Sequence, residues 1–379
     1  MDNEEQKVLF SCVIPTFGRV ALIGELLKSL RNAHLVENSP LEIIIVDNSI
    51  PNEAQQIQEL CRQHDTVYVE GTSSVREKRN KGVSLAHGDY IFFIDSDCRA
   101  DVDALVEHYS VLTQPGYDAC IGLTNFVGED SFLWRVIDHS QFMYAFRFAS
   151  IFKGRMESAP WGPTANMTVK KSAFEKIGGF NTNLPFKLGA DDADLGLRLN
   201  DNGFKIGMND HAIVYHCRET WTSLHQIFQR VFRWGRMNYF LFQKLHPERL
   251  VVTFPKPLAF WLVFCVFQIA LAFYCTPWLL LCLALWPVLY LLFYAIFRKK
   301  HGNPEDSNVA VTIGGEALND LFEIGSFLMS VAHGSIKSLY CEPKNNPKDL
   351  WPKKTHSVWS AFIVSVIVGI IDMLCAILK

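Results

Sequence analysis

The sequence predicts an α/β domain followed by membrane-spanning helices. Three observations predict it. Short apolar, β-branched runs alternate with helical stretches over roughly the first 250 residues. Two of those runs close on aspartates, at Asp47 and at Asp95 to Asp97. The last 120 or so residues are dominated by long apolar runs.

Val8 to Pro15 reads as a buried strand by its apolar, β-branched content, and Val20 to Leu30 as a helix. Leu41 to Val46 (LEIIIV) is a second strand, closed by Asp47-Asn48-Ser49; Asn52 to Arg62 is a polar helix. After a short strand at Val67 to Val69, Ser74-x-x-Glu77 forms a capping box that opens a helix to about Ala86. Tyr90 to Ile94 is the next strand. Further strands are expected at Asp118 to Leu123, Ala165 to Val169 and Ile213 to Tyr215. Continuous apolar strands separated by helices imply a parallel sheet covered on both faces. Ligands of such sheets bind beyond the carboxyl ends of the strands, so Asp47 and Asp95 should face one crevice. Phe132 to Phe152 is rich in aromatics and fits either a membrane-surface segment or a plain core helix.

The expected domains are residues 1–245 and a membrane domain over 246–379. Leu258 to Tyr274 and Pro277 to Phe297, split by Cys275-Thr276-Pro277, together are long enough for a helical hairpin across a bilayer. Lys256 and Arg298-Lys299-Lys300 place both of its ends in the cytoplasm by the positive-inside rule. Val358 to Leu378 is a third span. Residues 311–333 carry Glu316, Asn319, Asp320 and Glu323, which are expensive in hydrocarbon. That segment is read as an interfacial or re-entrant helix, because a full crossing would carry Lys344, Lys348, Lys353 and Lys354 outside. The polar opening MDNEEQK has no secretory signal character. The expected location is the cytoplasmic membrane, multi-pass, with the first domain in the cytoplasm.

Lys plus Arg number 36 and Asp plus Glu 39, a net charge of −3 that argues against a general nucleic-acid binder. Ten cysteines without a CxxC pair fit neither a disulfide framework nor a zinc site.

Asp95-Ser96-Asp97 is a D-x-D at a strand end. Strand alternation would turn both carboxylates toward one divalent cation, with a nucleotide diphosphate completing the shell. A pair of exposed turn aspartates fits the same three residues. Asp47 could accept from a nucleobase or ribose, or close an Asx turn with Ser49. Arg76 and Arg79 share a helix face that could meet a pyrophosphate, while Lys78 and Lys81 read as solvated. Asp191, Asp192 and Asp194 open a helix. Asp194 pairs with Arg198, and the other two exceed capping needs; crowding raises a carboxyl's pKa and suits a general base. His216 fits a core histidine or a metal ligand. Arg233, Trp234 and Arg236 fit a membrane-interface anchor or a gate over a diphosphate.

Together these motifs resemble glycosyltransferase family 2, the inverting GT-A enzymes, over about Phe10 to Tyr239. The carrying stretches are VIPTFGR, IIIVDNS, REKRNKG, FFIDSD, PTANMTVKKSAFEKIGGFN, ADDADLGLRL and QRVFRWGR. The resemblance implies a GT-A, Rossmann-like nucleotide-diphospho-sugar transferase domain. It places Pro15, Thr16, Arg19, Asp47, Arg79, Asp95, Ser96, Asp97, Arg233, Trp234 and Arg236 at the donor. It places Trp161, Gly162 and Asn166 at the sugar or acceptor pocket. Asp192 becomes the catalytic base beside Asp191, and Asp97, Asp95 and His216 become ligands of Mn2+ or Mg2+. Two departures stand out. Asp191 replaces a usual Glu, and QRVFRW has one residue more than the Q-x-x-R-W of processive synthases.

The function so implied is metal-dependent transfer of one sugar from a nucleotide-diphospho-sugar, a UDP-sugar first, to a lipid-linked or membrane-proximal glycan. The expected partners are donor, acceptor and membrane lipids, with no nucleic acid and with a homo-oligomer left open. A processive polysaccharide synthase is the first alternative. A nucleotidyltransferase would share the sheet and acids but needs a glycine-rich basic phosphate loop, and VIPTFGR has one Gly. A non-catalytic scaffold would have no need of the acids at 95, 97, 191 and 192.

Overall fold

The computed structural model describes residues 9–185, 189–253, 255–275, 277–301, 308–343 and 352–377. MDNEEQK, Thr276, Lys344, Lys348 and Leu378 lie outside the described residues. The chain forms two compact units, one within Met1–Glu129 and Tyr144–Thr220, the other within Asp130–Met143 and Trp221–Lys379.

The elements run β1 (Phe10–Thr16), α1 (Val20–Arg31), β2 (Leu41–Asp47), α2 (Pro51–Gln63), β3 (Val67–Glu70), α3 (Val75–Leu85), β4 (Tyr90–Phe93), β5 (Cys98–Ala100), α4 (Ala104–Leu112) and β6 (Tyr117–Val127). There follow α5 (Phe132–Asp138), α6 (Phe148–Phe152), β7 (Met167–Lys170), α7 (Lys171–Lys176), α8 (Asp191–Asp201), β8 (Lys205–Cys217) and α9 (Leu224–Tyr239). The chain continues through β9 (Leu250–Val252), α10 (Pro257–Tyr274), α11 (Leu281–His301), α12 (Val309–Ala332), β10 (Cys341–Pro343) and α13 (Pro352–Ile377).

The first unit holds an eight-stranded sheet in the order β3-β2-β1-β4-β7-β6-β8-β5. Its first four strands are parallel, as their continuous apolar runs predict. The other half is mixed: β7 runs antiparallel to β4 and β6, and β5 antiparallel to β8. The wholly parallel expectation therefore holds for one half only. Every residue of β1 is buried. Cys12 and Ile14 join Ile23, Leu26, Leu27 and Leu30 of α1 in the core of one face, and Val13 meets α3 on the other. Pro15 is tolerated in this central strand because pairing with β4 ends at Val13, so no ladder bond is lost on that side.

The helix α3 lies so close to β1 that a Cβ on Gly82 would overlap Val13 Cγ1. Val13 cannot retreat within a fully buried strand. Gly82→Ala should therefore destabilise the protein by about 1–3 kcal/mol, read as a lower unfolding midpoint. An unchanged midpoint would contradict this packing.

The aromatic stretch 132–152 is not one helix. It breaks into α5, a 3-10 segment at Gln141–Arg147 and α6, and is divided between the two units. Nine described cysteines are all free.

In the second unit, α10 and α11 are long and apolar enough to cross a membrane, over Pro257–Tyr274 and Leu281–Lys300. The apolar part of α13, Ser357–Met373, is shorter. The helix α12 is continuous, and its polar groups are met from within the unit. Glu316 accepts from Tyr290 Oη at 2.8 Å and Asn319 Nδ2 at 3.0 Å, and Lys256 Nζ meets Glu323 at 2.6 Å. Helices α9 and α12 touch at backbone distance. A Cβ on Gly325 would stand 2.6 Å from Phe232 O, and one on Gly235 would overlap Phe322 O.

Candidate active site

The carboxyl ends of β1 and β2 are in register, with Thr16 opposite Asp47. Asp47 is fully buried. Its Oδ1 accepts from Ser49 N at 3.0 Å and from Ser49 Oγ, and Oδ2 accepts from Tyr68 Oη at 3.0 Å. This is the Asx turn that the neighbouring Asn48 and Ser49 suggest, with a tyrosine added from β3. Lys78, read from sequence as solvated, is buried instead. Its ammonium donates to Thr16 O, and burial pushes its pKa down to about 8 against the pull of Asp47. Arg76 is buried too and donates to Leu184 O at 3.3 Å and Gly189 O at 3.4 Å. It therefore braces the loop before α8, where a pyrophosphate-facing cation was expected.

β4 stops at Phe93, so the alternation expected to point Asp95 and Asp97 one way does not reach them. They sit on a turn that Cys98 N closes on Asp95 O at 3.1 Å. Each carboxylate finds a different cation. Asp95 Oδ1 takes Arg79 Nη2 at 2.8 Å, and Asp97 Oδ2 takes Arg19 Nη1 at 2.8 Å. Ser96 between them is buried. Arg19 precedes α1 with left-handed backbone (φ 63°), a strained state for a residue with a Cβ and one that recurs at functional sites.

The strand β5 pairs Cys98 with His216 and so brings β8 to the D-x-D turn. His216 Nε2 stands 3.6 Å from Asp97 Oδ1, and Nδ1 lies 3.1 Å from Cys217 O. A carbonyl only accepts, so Nδ1 donates to Cys217 O, and Nε2 faces Asp97. The ring stacks on Phe126 at 4.7 Å. Burial pushes Asp97 up, but His216 and Arg19 outweigh it and hold the carboxyl below its ordinary range. Ligand atoms of Asp97, Cys98 and His216 lie within 4.8 Å of one another. One carboxylate oxygen and one imidazole nitrogen at this spacing suit a divalent cation. Burial and the flanking carboxylates push the Cys98 thiol well up, so it enters as a neutral neighbour.

Arg79 is the hub of the remaining acids. It is buried, and its Nη1 lies 2.7 Å from Asp191 Oδ2 and 3.9 Å from Asp192 Oδ1. With Asp95 it faces three carboxylates, while the Phe180 ring covers its far side at 5.3 Å. Its neighbour Asn80 exchanges two bonds with the backbone of Phe180, at 2.9 and 2.8 Å. Ala190, in left-handed backbone (φ 59°), turns the chain into α8 so that Asp191 and Asp192 stand at its first turn. Asp194 pairs with Arg198 at 2.8 Å, as the spacing predicts. Enclosure and the adjacent Asp191 charge push Asp192 up to about 7, against the pull of Arg79 and of a hydrogen bond from Thr164.

The residues assigned to a sugar pocket by resemblance are largely engaged by the protein itself. Gly162 packs on Ile121, where a Cβ would overlap, and Trp161 lies edge-on to Phe148 at 5.0 Å. Asn166 is buried. Its Nδ2 donates to Leu123 O at 2.9 Å and Ala212 O at 2.8 Å, and Oδ1 accepts from His108 Nε2 at 2.8 Å. Arg233, Trp234 and Arg236 belong to the second unit. There Trp234 lies 5.3 Å from Phe142 and 6.0 Å from Trp221, and Arg236 Nε donates to Met329 Sδ at 3.3 Å. Lys78, Tyr68 and Thr164 are the site residues that sequence reasoning missed. Only the acid spacing was readable, and a single buried lysine, tyrosine or threonine carries no spacing signal.

Residues 11–178 match the family model of glycosyl transferase family 2. The match takes in β1 through β7 and ends before Asp191, Asp192 and His216. With the mixed eight-stranded sheet it supports a GT-A-like glycosyltransferase. A poly(ribitol-phosphate) β-glucosyltransferase of Bacillus spizizenii is 31% identical over 117 residues, which are 30% of this chain and 18% of that protein. The match thus spans less than a fifth of that relative. Among solved structures, residues 1–349 of S. aureus TarS in complex with UDP are 17% identical, with 62% of this chain and 66% of that one covered and a TM-score of 0.41. A mannosyltransferase of Pyrobaculum calidifontis in complex with GDP-Man and Mn2+ is 13% identical, with 96% and 86% covered and a TM-score of 0.45.

Proposed function

We propose that this glycosyltransferase moves one sugar, with inversion, from a nucleotide-diphospho-sugar to a lipid-linked or membrane-proximal glycan. The observation that carries the reading is the grouping of Asp95, Asp191 and Asp192 around one buried arginine at the carboxyl end of the sheet. A raised Asp192 beside fixed carboxylates suits a base working near neutral pH.

In the proposed reaction Asp192 accepts the proton of an acceptor hydroxyl. The acceptor oxygen bonds to the anomeric carbon from the face opposite the leaving group. The bond from that carbon to the phosphate oxygen breaks, and the diphosphate departs. Asp97 and His216, with Asp95 nearby, would hold Mn2+ or Mg2+, which when bound offsets charge on the departing diphosphate. Arg79 holds the base helix and the Asp95 turn in one register. Thr16, Asp47 and Lys78 mark the end of β1 and β2 proposed for the nucleoside.

We assign α10, α11 and the apolar part of α13 to a membrane on the strength of their length and composition. Arg298-Lys299-Lys300 then favours a cytoplasmic side for the catalytic unit. The extra residue in QRVFRW, against the Q-x-x-R-W of processive synthases, favours single transfer.

The decisive experiment is a donor screen with the full chain. UDP-glucose comes first, because the 31%-identical relative is named a glucosyltransferase; UDP-GlcNAc and GDP-mannose follow. Nucleoside diphosphate release is followed with membrane lipid extract as acceptor. Release from one donor, abolished by EDTA and restored by Mn2+ or Mg2+, is the expected result. Full turnover in EDTA overturns the metal assignment, and polymeric product overturns single transfer.

A further inference from the structure

Asp192 is held from one side only. Both of its close contacts fall on Oδ1, with Thr164 Oγ1 at 2.5 Å and Arg79 Nη1 at 3.9 Å. Oδ2 makes no hydrogen bond among the described residues, and about a third of the side chain (35%) is exposed. Thr164 is itself 1% exposed, so its hydroxyl is not shared with bulk water. An ionised carboxylate only accepts, so in that state the threonine donates.

The aim of the hydroxyl is fixed from below. Thr164 opens a 3-10 turn, Thr164–Asn166, that Asn166 N closes on Pro163 O at 3.1 Å. The Asn166 side chain ties that turn to β6, to β8 and to His108 of α4 through the three bonds described above. Burial holds His108 down to about 4, so it stays neutral, and its Nε2 donates because the amide oxygen only accepts. Asp192 is anchored from its own side. Gly189 N donates to Asp191 Oδ1 at 3.1 Å, and Arg76 grips the carbonyls of Leu184 and Gly189. The turn and the start of α8, each braced by bonds of its own, therefore meet at the Thr164–Asp192 hydrogen bond.

We propose that Thr164 is the positioning residue of Asp192. Its hydroxyl pins Oδ1 and leaves Oδ2 as the oxygen that takes the acceptor's proton. This rests on the reading of Asp192 as the base. It also gives Asn166 a part in the site, as the post that aims Thr164.

The test is infrared pH titration of the full chain, following the carboxyl band that D192N removes. A hydrogen bond to a charged group favours the ionised form, so losing it raises the titration midpoint, here by about one unit or more. T164V keeps the side chain's shape and loses the hydroxyl; its midpoint should rise accordingly. T164S keeps the hydroxyl and should stay within a few tenths of a unit of the unsubstituted protein. If T164V does not fold, T164A is the second variant and should move in the same direction. An unmoved midpoint in the folded valine or alanine variant overturns the inference, as does a serine variant that shifts as far as valine. Failure of the base reading is separable. If D192N sustains release from the donor found by the screen, Asp192 is not the base, whatever Thr164 does to its titration. If D192N is inactive while T164V leaves the midpoint in place, the Thr164 inference alone fails.

Discussion

Asp192→Asn is expected to lower turnover by roughly 10²–10⁴-fold, the range a positioned base contributes, while donor affinity stays within about twofold. Asn fills the same volume and can still accept from Thr164 through its amide oxygen, but it has no basic oxygen to offer the acceptor hydroxyl. Turnover of the unsubstituted protein should rise with pH through about 7, where Asp192 ionises, and the variant should show no such limb. Stability moves the other way. The ordinary value is 3.8 and the folded value about 7, so across that window the native state keeps a proton that the unfolded chain has lost. Raising the pH through the window therefore reduces stability, and the deficit is complete above it. Asp192→Asn removes the deficit, so the variant should unfold at a higher temperature than the unsubstituted protein above the window. Turnover comparable to the unsubstituted protein would remove Asp192 from the mechanism. A variant no more stable at high pH would show that the carboxylate is not held under strain.

Arg79→Met should be the most destabilising single change in the first unit, by about 3–5 kcal/mol. The guanidinium is 4% exposed and meets Asp95 and Asp191 through separate nitrogens, with Asp192 beyond. Methionine fills part of the space beside Phe180 but leaves three carboxylates facing one another. Acid protonates them, so the deficit should shrink as pH falls. Arg79→Lys restores a charge without the fork that reaches two carboxylates at once, and should recover only part of the loss. Denaturant unfolding of the purified chain at neutral and acid pH reads both effects. A methionine variant as stable as the unsubstituted protein at neutral pH would show that the acids do not depend on Arg79.

Much of the first unit was legible because burial writes itself into runs. Seven buried residues in β1 and the LEIIIV of β2 leave no polar face, and only a doubly covered central strand tolerates that. The capping serine before α3 and the Asp194–Arg198 pair followed from spacing alone, and both are present. The mixed half was not legible. The three residues of β5 carry no periodicity, yet their pairing with β8 is what brings His216 to Asp97. Lys78 misled because its charge suggests solvent, and Arg76 because its charge suggests a phosphate, whereas the partners of both are backbone carbonyls far along the chain or across the sheet.

Residue order alone carries the strand–helix alternation, the apolar helices of the last third, and the acids at 47, 95, 97, 191 and 192 that any reading of the chemistry must use. Those depend on residue type and local spacing, which a chain carries before it folds. How the acids are shared is set by the fold. Asp95 and Asp97 part company on a turn, Arg79 gathers Asp95 with Asp191 and Asp192, and Thr164 meets one oxygen of Asp192. A carboxylate's partner is whichever cation or hydroxyl the fold carries to within about 3 Å of it, and that is fixed by packing between segments that lie from 16 to 112 residues apart.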